Sequence, residues 1–227
     1  MGELDDVMRT TFAGRTFTDE DVTDDEIASI LDAARFAPSG GNRQGWRVVV
    51  VRDPATKAAV VEAGVPAIRR YLAQRLAGEN PWNTVVASAV TDEDVAAIGD
   101  DHIAWYRGLA DAPVLLVVGV DLAVVASVDA ELDRVGVASG ASIYPFVHNI
   151  LLAARARGLT GALTTFASAD EAQVKATLRL PDEVAVAAVV PIGHPTEVLT
   201  KLSRNPVESF ARLGTWDGPP LAAPDPG

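Results

Sequence analysis

The spacing of apolar positions divides the chain into elements before any other property is considered. Thr23-Asp24-Asp25-Glu26 precedes Ile27, Ile30, Leu31 and Ala34, a helical stripe behind a capping-box sequence, and predicts a helix that ends before Pro38. Residues 47–52 (RVVVVR) are a β-branched run and predict a buried strand, stopped by Asp53-Pro54. Helical spacing returns over 55–77, broken near Gly64 and Pro66, while 78–100 shows no clear period and is rich in turn formers. A short helix over 103–109 leads into a second buried strand at 114–120 (VLLVVGV). Residues 139–157 are apolar on nearly every face until the basic last turn of Arg155 and Arg157, which predicts a helix buried in a core or an oligomer interface, with Gly158 as its C-cap. Strands are predicted at 160–166 and 184–192, with a helix over 168–178 between them. The Pro/Gly-rich tail, 214–227, is not expected to pack on its own. No repeat or linker interrupts the series, so residues 1–227 read as a single α+β domain.

Composition then removes whole chemistries. There is no cysteine, which excludes disulfides, thiolate nucleophiles and cysteine-held metal centres. The three histidines, His102, His148 and His194, have no partner at triad or metal spacing; His148 reads as a core or interface residue, and no metal is expected. Against 19 Lys and Arg stand 31 Asp and Glu, a formal charge of −12 that repels nucleic acid and anionic lipid. No apolar run reaches the roughly 20 residues of a membrane span. The acidic start MGELDDVMR is unlike a signal peptide, so a soluble cytoplasmic protein is expected. Neither GxGxxG, GxxxxGK[ST] nor GxSxG occurs where it would carry chemistry.

The informative segment is 37–46 (APSGGNRQGW), between the first predicted helix and the first strand. Two adjacent glycines allow close backbone approach, and Ser39, Asn42 and Gln44 offer hydroxyl and amide groups suited to a polar heterocycle or polyol. A helix-ending turn decorated with polar residues accounts for the same spacing.

A resemblance runs through this segment and beyond it. Arg15 and Phe17 (R-x-F), the capped helix and ARFAPSGGNRQGW before a strand resemble the start of the nitroreductase family of flavin enzymes. Residues 112–118 (APVLLVV), the apolar helix ending LLAARARGL, the loop 161–165 (GALTT), LRLPDEVAVAAVVPIGHP and Arg204-Asn205-Pro206 are similar to later blocks of that family, in order, covering about 9–53 and 112–207. The resemblance implies a central mixed, mainly antiparallel sheet flanked by helices and a homodimer with 139–157 as a long buried interface helix. Residues 66–110 would be a variable cover over the active site, and 214–227 an extended tail.

It also implies FMN at the subunit interface, with NADH or NADPH as reductant. Pro38, Ser39, Gly40, Asn42 and Gln44 would meet the ring or ribityl chain. Leu163, Thr164 and Thr165 would lie beside the reactive nitrogen, and Arg15 and Arg204 would grip the phosphate, with Lys201 as the substitute for Arg204. The family's N-terminal block often carries further basic residues where this chain has Phe12, Gly14 and Thr16, and Arg9 is displaced by register. No catalytic side chain is implied, because the flavin carries the electrons. The implied activity is ping-pong hydride transfer from NAD(P)H to a small electron-poor acceptor such as a nitroaromatic or quinone. A reductive dehalogenase, a flavin-fragmenting enzyme, a biosynthetic dehydrogenase or a non-catalytic FMN-binding protein would use the same cradle. Tyr71, Trp82, Trp105 and Tyr106, between the matched blocks, are candidates for the acceptor pocket, the last two equally for plain packing. Arg69, Arg70 and Arg75 are candidates for a 2′-phosphate contact.

Overall fold

A computed structural model describes residues 3–199 and 201–222. Its sheet has four strands, β1 (Trp46–Val51), β2 (Val114–Asp121), β3 (Thr160–Gly161) and β4 (Val184–Gly193), in the order β1-β2-β4-β3. All three strand pairs are antiparallel, and a single parallel bridge joins Ala13 to Gly161. Among the described residues eight α-helices surround it: α1 (Glu3–Thr10), α2 (Asp24–Ala34), α3 (Pro54–Glu62), α4 (Val65–Leu76), α5 (Asp92–Ala96), α6 (Asp100–Arg107), α7 (Tyr144–Arg155) and α8 (Glu171–Leu178).

β2 is buried from Val114 to Val120, and its two faces feed two separate cores. Val114, Leu116, Val118 and Val120 pack with α2 and α7, while Leu115 and Val117 pack with α3, α4, α6 and α8. The period-2 alternation of a strand is the reason. A bulge opposite Val118/Gly119 shifts the phase of β4 by one residue, so Ala187 and Ala188 both join the α2/α7 core while Val186 and Val189 join the other.

The α2 cap forms as its sequence predicts: Thr23 Oγ1 accepts from Glu26 N, and Glu26 accepts from Thr23 N at 2.8 Å. The end of α7 also follows the sequence. Gly158 takes φ +78°, Leu159 N donates to Ala154 O and Gly158 N to Arg155 O, the hydrogen-bond pair of a Schellman turn.

Other expectations are corrected. The helix expected over 139–157 starts at Tyr144, preceded by a 3-10 turn at Ala138–Ser142, because Pro145 suits only the first turn of a helix. Phe146, Val147, Ile150, Ala153 and Ala154 bury one face of α7, whereas Tyr144 and His148 are exposed. The strand expected over 160–166 stops at Gly161 and touches β4 again only where Thr164 pairs with Val189. Its register is unbroken, but the intervening hydrogen-bonded pair would need an N–H from Pro191, which has none. The turn-rich stretch 78–100 contains α5, capped by Thr91 and Asp94. The tail bends back so that Arg212 bridges Pro220, leaving Trp216 exposed; residues 223–227 lie outside the described residues. Among the described residues no helix is long and apolar enough to cross a membrane, and no group of acidic or histidine side chains could hold a metal ion.

The loop between β2 and α7 is tied to one carboxylate. Asp129, 5% exposed, accepts from Arg134 Nη1 and Val137 N at 2.8 Å and from Ala138 N at 3.2 Å. The Val137 amide first, and then Arg134, hold its carboxyl down at about 2. A depressed carboxylate contributes stability above its unfolded pKa, near 3.9, and loses it as pH falls through the folded value. Between about pH 4 and pH 2 the wild type is expected to lose stability more steeply than Asp129→Asn, measured by urea midpoints across that range.

Packing near the second core gives another test. A Cβ on Gly64 would stand 1.9 Å from the Tyr106 hydroxyl and 3.0 Å from Ala167 N. Gly64→Ala is expected to cost about 1–3 kcal/mol by overpacking. Gly108→Ala, whose Cβ would meet only Asp111 Oδ2 at 3.9 Å, should leave the urea midpoint unchanged or slightly raised.

Candidate functional site

The segment after α1 is stitched to the short edge strand β3. Gly14 N donates to Gly161 O at 3.0 Å, and Thr160 Oγ1 donates to Phe12 O at 3.5 Å. A Cβ on Gly14 would lie 2.3 Å from the Thr160 side chain, so only glycine permits this approach. Arg15 is thereby delivered beside residues 162–165. Its guanidinium lies 5.5 Å from the centre of the Trp105 ring, a cation–π distance.

Arg15, Trp105, Leu109 and residues 162–166 enclose a cavity of about 160 Å³. Thr164 spends its backbone N–H and C=O on Val189. By strand alternation the N–H groups of Leu163 and Thr165 point the other way, and neither has an acceptor among the described residues. The result is a short row of amide donors, two hydroxyls and a guanidinium around one cavity. Tyr106 braces this row from behind. It is fully buried, its hydroxyl bonds the Thr164 side chain, and burial pushes its phenol far above the ordinary tyrosine range.

A second cavity, of about 520 Å³, shares Arg15, Trp105 and Phe166 with the first and adds Ile68, Tyr71, Leu72 and Arg75. The Tyr71 and Phe166 rings meet edge to face at 5.5 Å. A third, of about 470 Å³, is lined by Asp5, Met8, Arg9, Leu202 and Arg204.

The polar loop before β1 stands elsewhere. Gly40–Asn42 form a 3-10 turn, with Gly41, Asn42 and Gln44 at φ +62°, +53° and +50°. Gly40 N donates to Ser142 Oγ at 3.1 Å, Gln44 N to Ser39 Oγ at 3.0 Å, and Gln44 Nε2 to Asn42 Oδ1 at 3.1 Å. Glycine and asparagine tolerate the left-handed region; Gln44 does so at a cost of roughly 1 kcal/mol or more. The loop enters β1 at one edge of the sheet, whereas 162–165 follow β3 at the other. Three strand spacings, about 14 Å, separate those edges.

Residues 8–194 match the model of the Nitroreductase family. The chain belongs to the nitroreductase family. It is 30% identical to a nitrobenzene nitroreductase of Ectopseudomonas oleovorans, over 84% of this chain and 86% of that protein. It is 32% identical to an NADH dehydrogenase of Thermus thermophilus, over 89% and 90%. The structure of iodotyrosine deiodinase bound to FMN and 3-iodo-L-tyrosine shares the fold at a TM-score of 0.67, with 22% identity over 94% of this chain and all of that one. This nitroreductase-family chain is thus a flavoprotein oxidoreductase by descent, among relatives of differing chemistry.

In this family member the expected site residues separate into three places. Arg15, Leu163, Thr164, Thr165, Trp105 and Tyr71 come together around the two joined cavities. Pro38, Ser39, Gly40, Asn42 and Gln44 stay with their loop at the opposite sheet edge. Arg204 lines a cavity with Arg9 and not with Arg15, and Lys201 is exposed outside it. Arg9, displaced by register in the sequence, arrives at this cavity from α1, one turn from Asp5 on the same face.

Two pocket candidates stand apart from the joined cavities. Tyr106 is core, and Trp82, 47% exposed at φ +54°, lines neither joined cavity; Arg70 sits 5.8 Å from its ring. Tyr106→Phe keeps the packing but removes the bond to Thr164, so a loss of about 1 kcal/mol is expected in chemical denaturation. The amides of 163–165 should also exchange faster with deuterium.

Proposed function

We propose that the chain is an FMN-dependent oxidoreductase that takes hydride from NADH or NADPH and passes it to a small electron-poor acceptor such as a nitroaromatic or quinone. The observation that carries this reading is the row of outward amide donors at Leu163 and Thr165 beside the Arg15 guanidinium. An isoalloxazine edge presents ring nitrogen and carbonyl acceptors, which this donor set complements. FMN, when bound, supplies the hydride relay between reductant and acceptor. Arg15 would hold positive charge beside the ring, and fixed charge of that kind needs no reorganisation. Thr164 and Thr165 would position the ring, and Trp105 with Phe166 would keep water from one side. No side chain is required as acid or base for the transfer itself.

The phosphate goes to the cavity of Arg9 and Arg204, since a phosphate dianion is best met by guanidinium forks. The amides and hydroxyl of the 38–44 loop serve a flavin held by a second copy of the chain, because one chain keeps that loop and the 163–165 row on opposite edges. The exposed Tyr144 face of α7 and exposed Val128, Leu132, Val135 and Val137 support a homodimer across this side. Residues 66–110, which include α4 and Trp105, form the cover over the acceptor.

The purified protein is expected to be yellow or to bind added FMN, and to oxidise NADH or NADPH only when a quinone or nitro compound is supplied. Protein that stays colourless with FMN present and oxidises neither nucleotide would overturn the reading. Arg204→Gln and Arg9→Gln should each weaken FMN by about tenfold or more, the worth of a charge-assisted contact. Riboflavin, which has no phosphate, should bind both variants as it binds the wild type; flavin fluorescence titration separates the two.

A further inference from the structure

We propose that the larger of the two joined cavities selects an aromatic acceptor that carries a negative charge, a ring carboxylate being the simplest case. The inference rests on the oxidoreductase reading and names the substrate class of that same site.

The sign of this cavity runs against the chain's net charge of −12; arginines without an acidic partner are common here, and what distinguishes the place is that two of them share one cavity. The chain has 31 acidic side chains, and Arg35, Arg47, Arg52, Arg69, Arg107 and Arg134 are each paired with one or more of them. The cavity lined by Arg15, Ile68, Tyr71, Leu72, Arg75, Trp105 and Phe166 contains two guanidinium groups and no carboxylate. Neither Arg15 nor Arg75 has an acidic partner among the described residues, whereas Arg69, also on α4, is paired with Asp100 of α6. Arg15 is held over the Trp105 ring, so its charge is fixed at the rim.

The floor is complementary in a different way. Tyr71 and Phe166 meet edge to face, and Ile68 and Leu72 fill the space beside them. A planar ring gains dispersion and quadrupole contact on such a surface, and its anionic substituent reaches a guanidinium without crossing apolar groups. The volume, about 520 Å³, suits one or two fused rings. Because Arg15, Trp105 and Phe166 belong to both cavities, a ring seated here lies next to the smaller cavity that the 163–165 row lines.

The test compares 4-nitrobenzoate with methyl 4-nitrobenzoate on the FMN-loaded protein. In each case NAD(P)H gives a hydride, the solvent gives a proton, and the nitro group becomes nitroso with release of one water and NAD(P)⁺. The ester withdraws electrons more strongly, so intrinsic reactivity favours it. A kcat/KM at least about tenfold higher for the carboxylate, expressed in KM, therefore reports the site. Arg75→Gln should reduce that ratio about tenfold, Arg75→Lys should restore part of it, and added salt should shrink it.

Equal use of both acceptors, or preference for the ester, by protein that binds FMN and oxidises NAD(P)H overturns the inference and leaves the oxidoreductase reading intact. If Arg75→Gln raises the KM for NADPH alone and leaves the acceptor ratio unchanged, the cavity reads a 2′-phosphate and the inference fails. Calorimetric titration with benzoate and benzamide decides the remaining case. Benzoate binding that needs Arg75 in a protein without flavin affinity supports the anion site while the flavin reading falls; binding of neither compound overturns the inference.

Discussion

At the far edge of the sheet, the pairing of residue 162 with Pro191 lacks a donor, so the chain leaves β4 after Gly161 and rejoins it at Thr164. Everything proposed for the site descends from this interruption. A full ladder over 160–166 would make a longer, flatter edge, the kind that pairs with other chains. The single bridge at Thr164 instead fixes the phase of the segment, turns the neighbouring amides outward and leaves room in front of them for Arg15. Glycine makes the second contribution: the close approach of Gly14 to Thr160 places the Arg15 backbone within reach of that edge.

The same sheet sets the scale of the site. With β1 and β3 as its two edges, a polar loop entering β1 and a donor row leaving β3 stand at opposite edges of the sheet. Neither half resembles a complete ligand pocket. The loop bonds mostly to itself and to Ser142, and the smaller joined cavity is only about 160 Å³. Divided as proposed between two copies, the site would link cofactor occupancy to association, because ligand that bridges two chains stabilises the bridged state by mass action.

Much of the fold was legible because its signals are local. The capping box at Thr23, the β-branched runs of β1 and β2 and the glycine that ends α7 each act within a few residues and appear where their sequences place them. What the sequence hid depends on partners far along the chain. The shortness of β3 is decided by Pro191, thirty residues later. The tiny α5 has a capping signal but too few residues for a periodic stripe, and α1 buries no residue, so its pattern carries no core signature. In the site, the matched blocks single out Arg15 and Arg204 for the phosphate and 163–165 for the ring; the fold puts Arg15 at the cavity of 163–165 and Arg204 at another, with Arg9. They gave no means of telling Trp105 from Tyr106, adjacent on one helix, where a difference of about 100° turns one ring to a cavity and the other into the core. The place of Arg9 is hidden for the same kind of reason: a helix moves a side chain through space in a way that linear register does not represent.

Tyr106 belongs to two structures at once. Its ring is part of the packing between α4, α6 and the sheet, and its hydroxyl is the far support of the donor row. The void above Gly64 exists to admit that hydroxyl. Selection for a tight interior and selection for a well-aimed site therefore act on the same few atoms. In a library of random variants, positions 64 and 106 would be recovered as activity-altering although neither lines the joined cavities, and compensating changes for a site defect would be found among residues of the core.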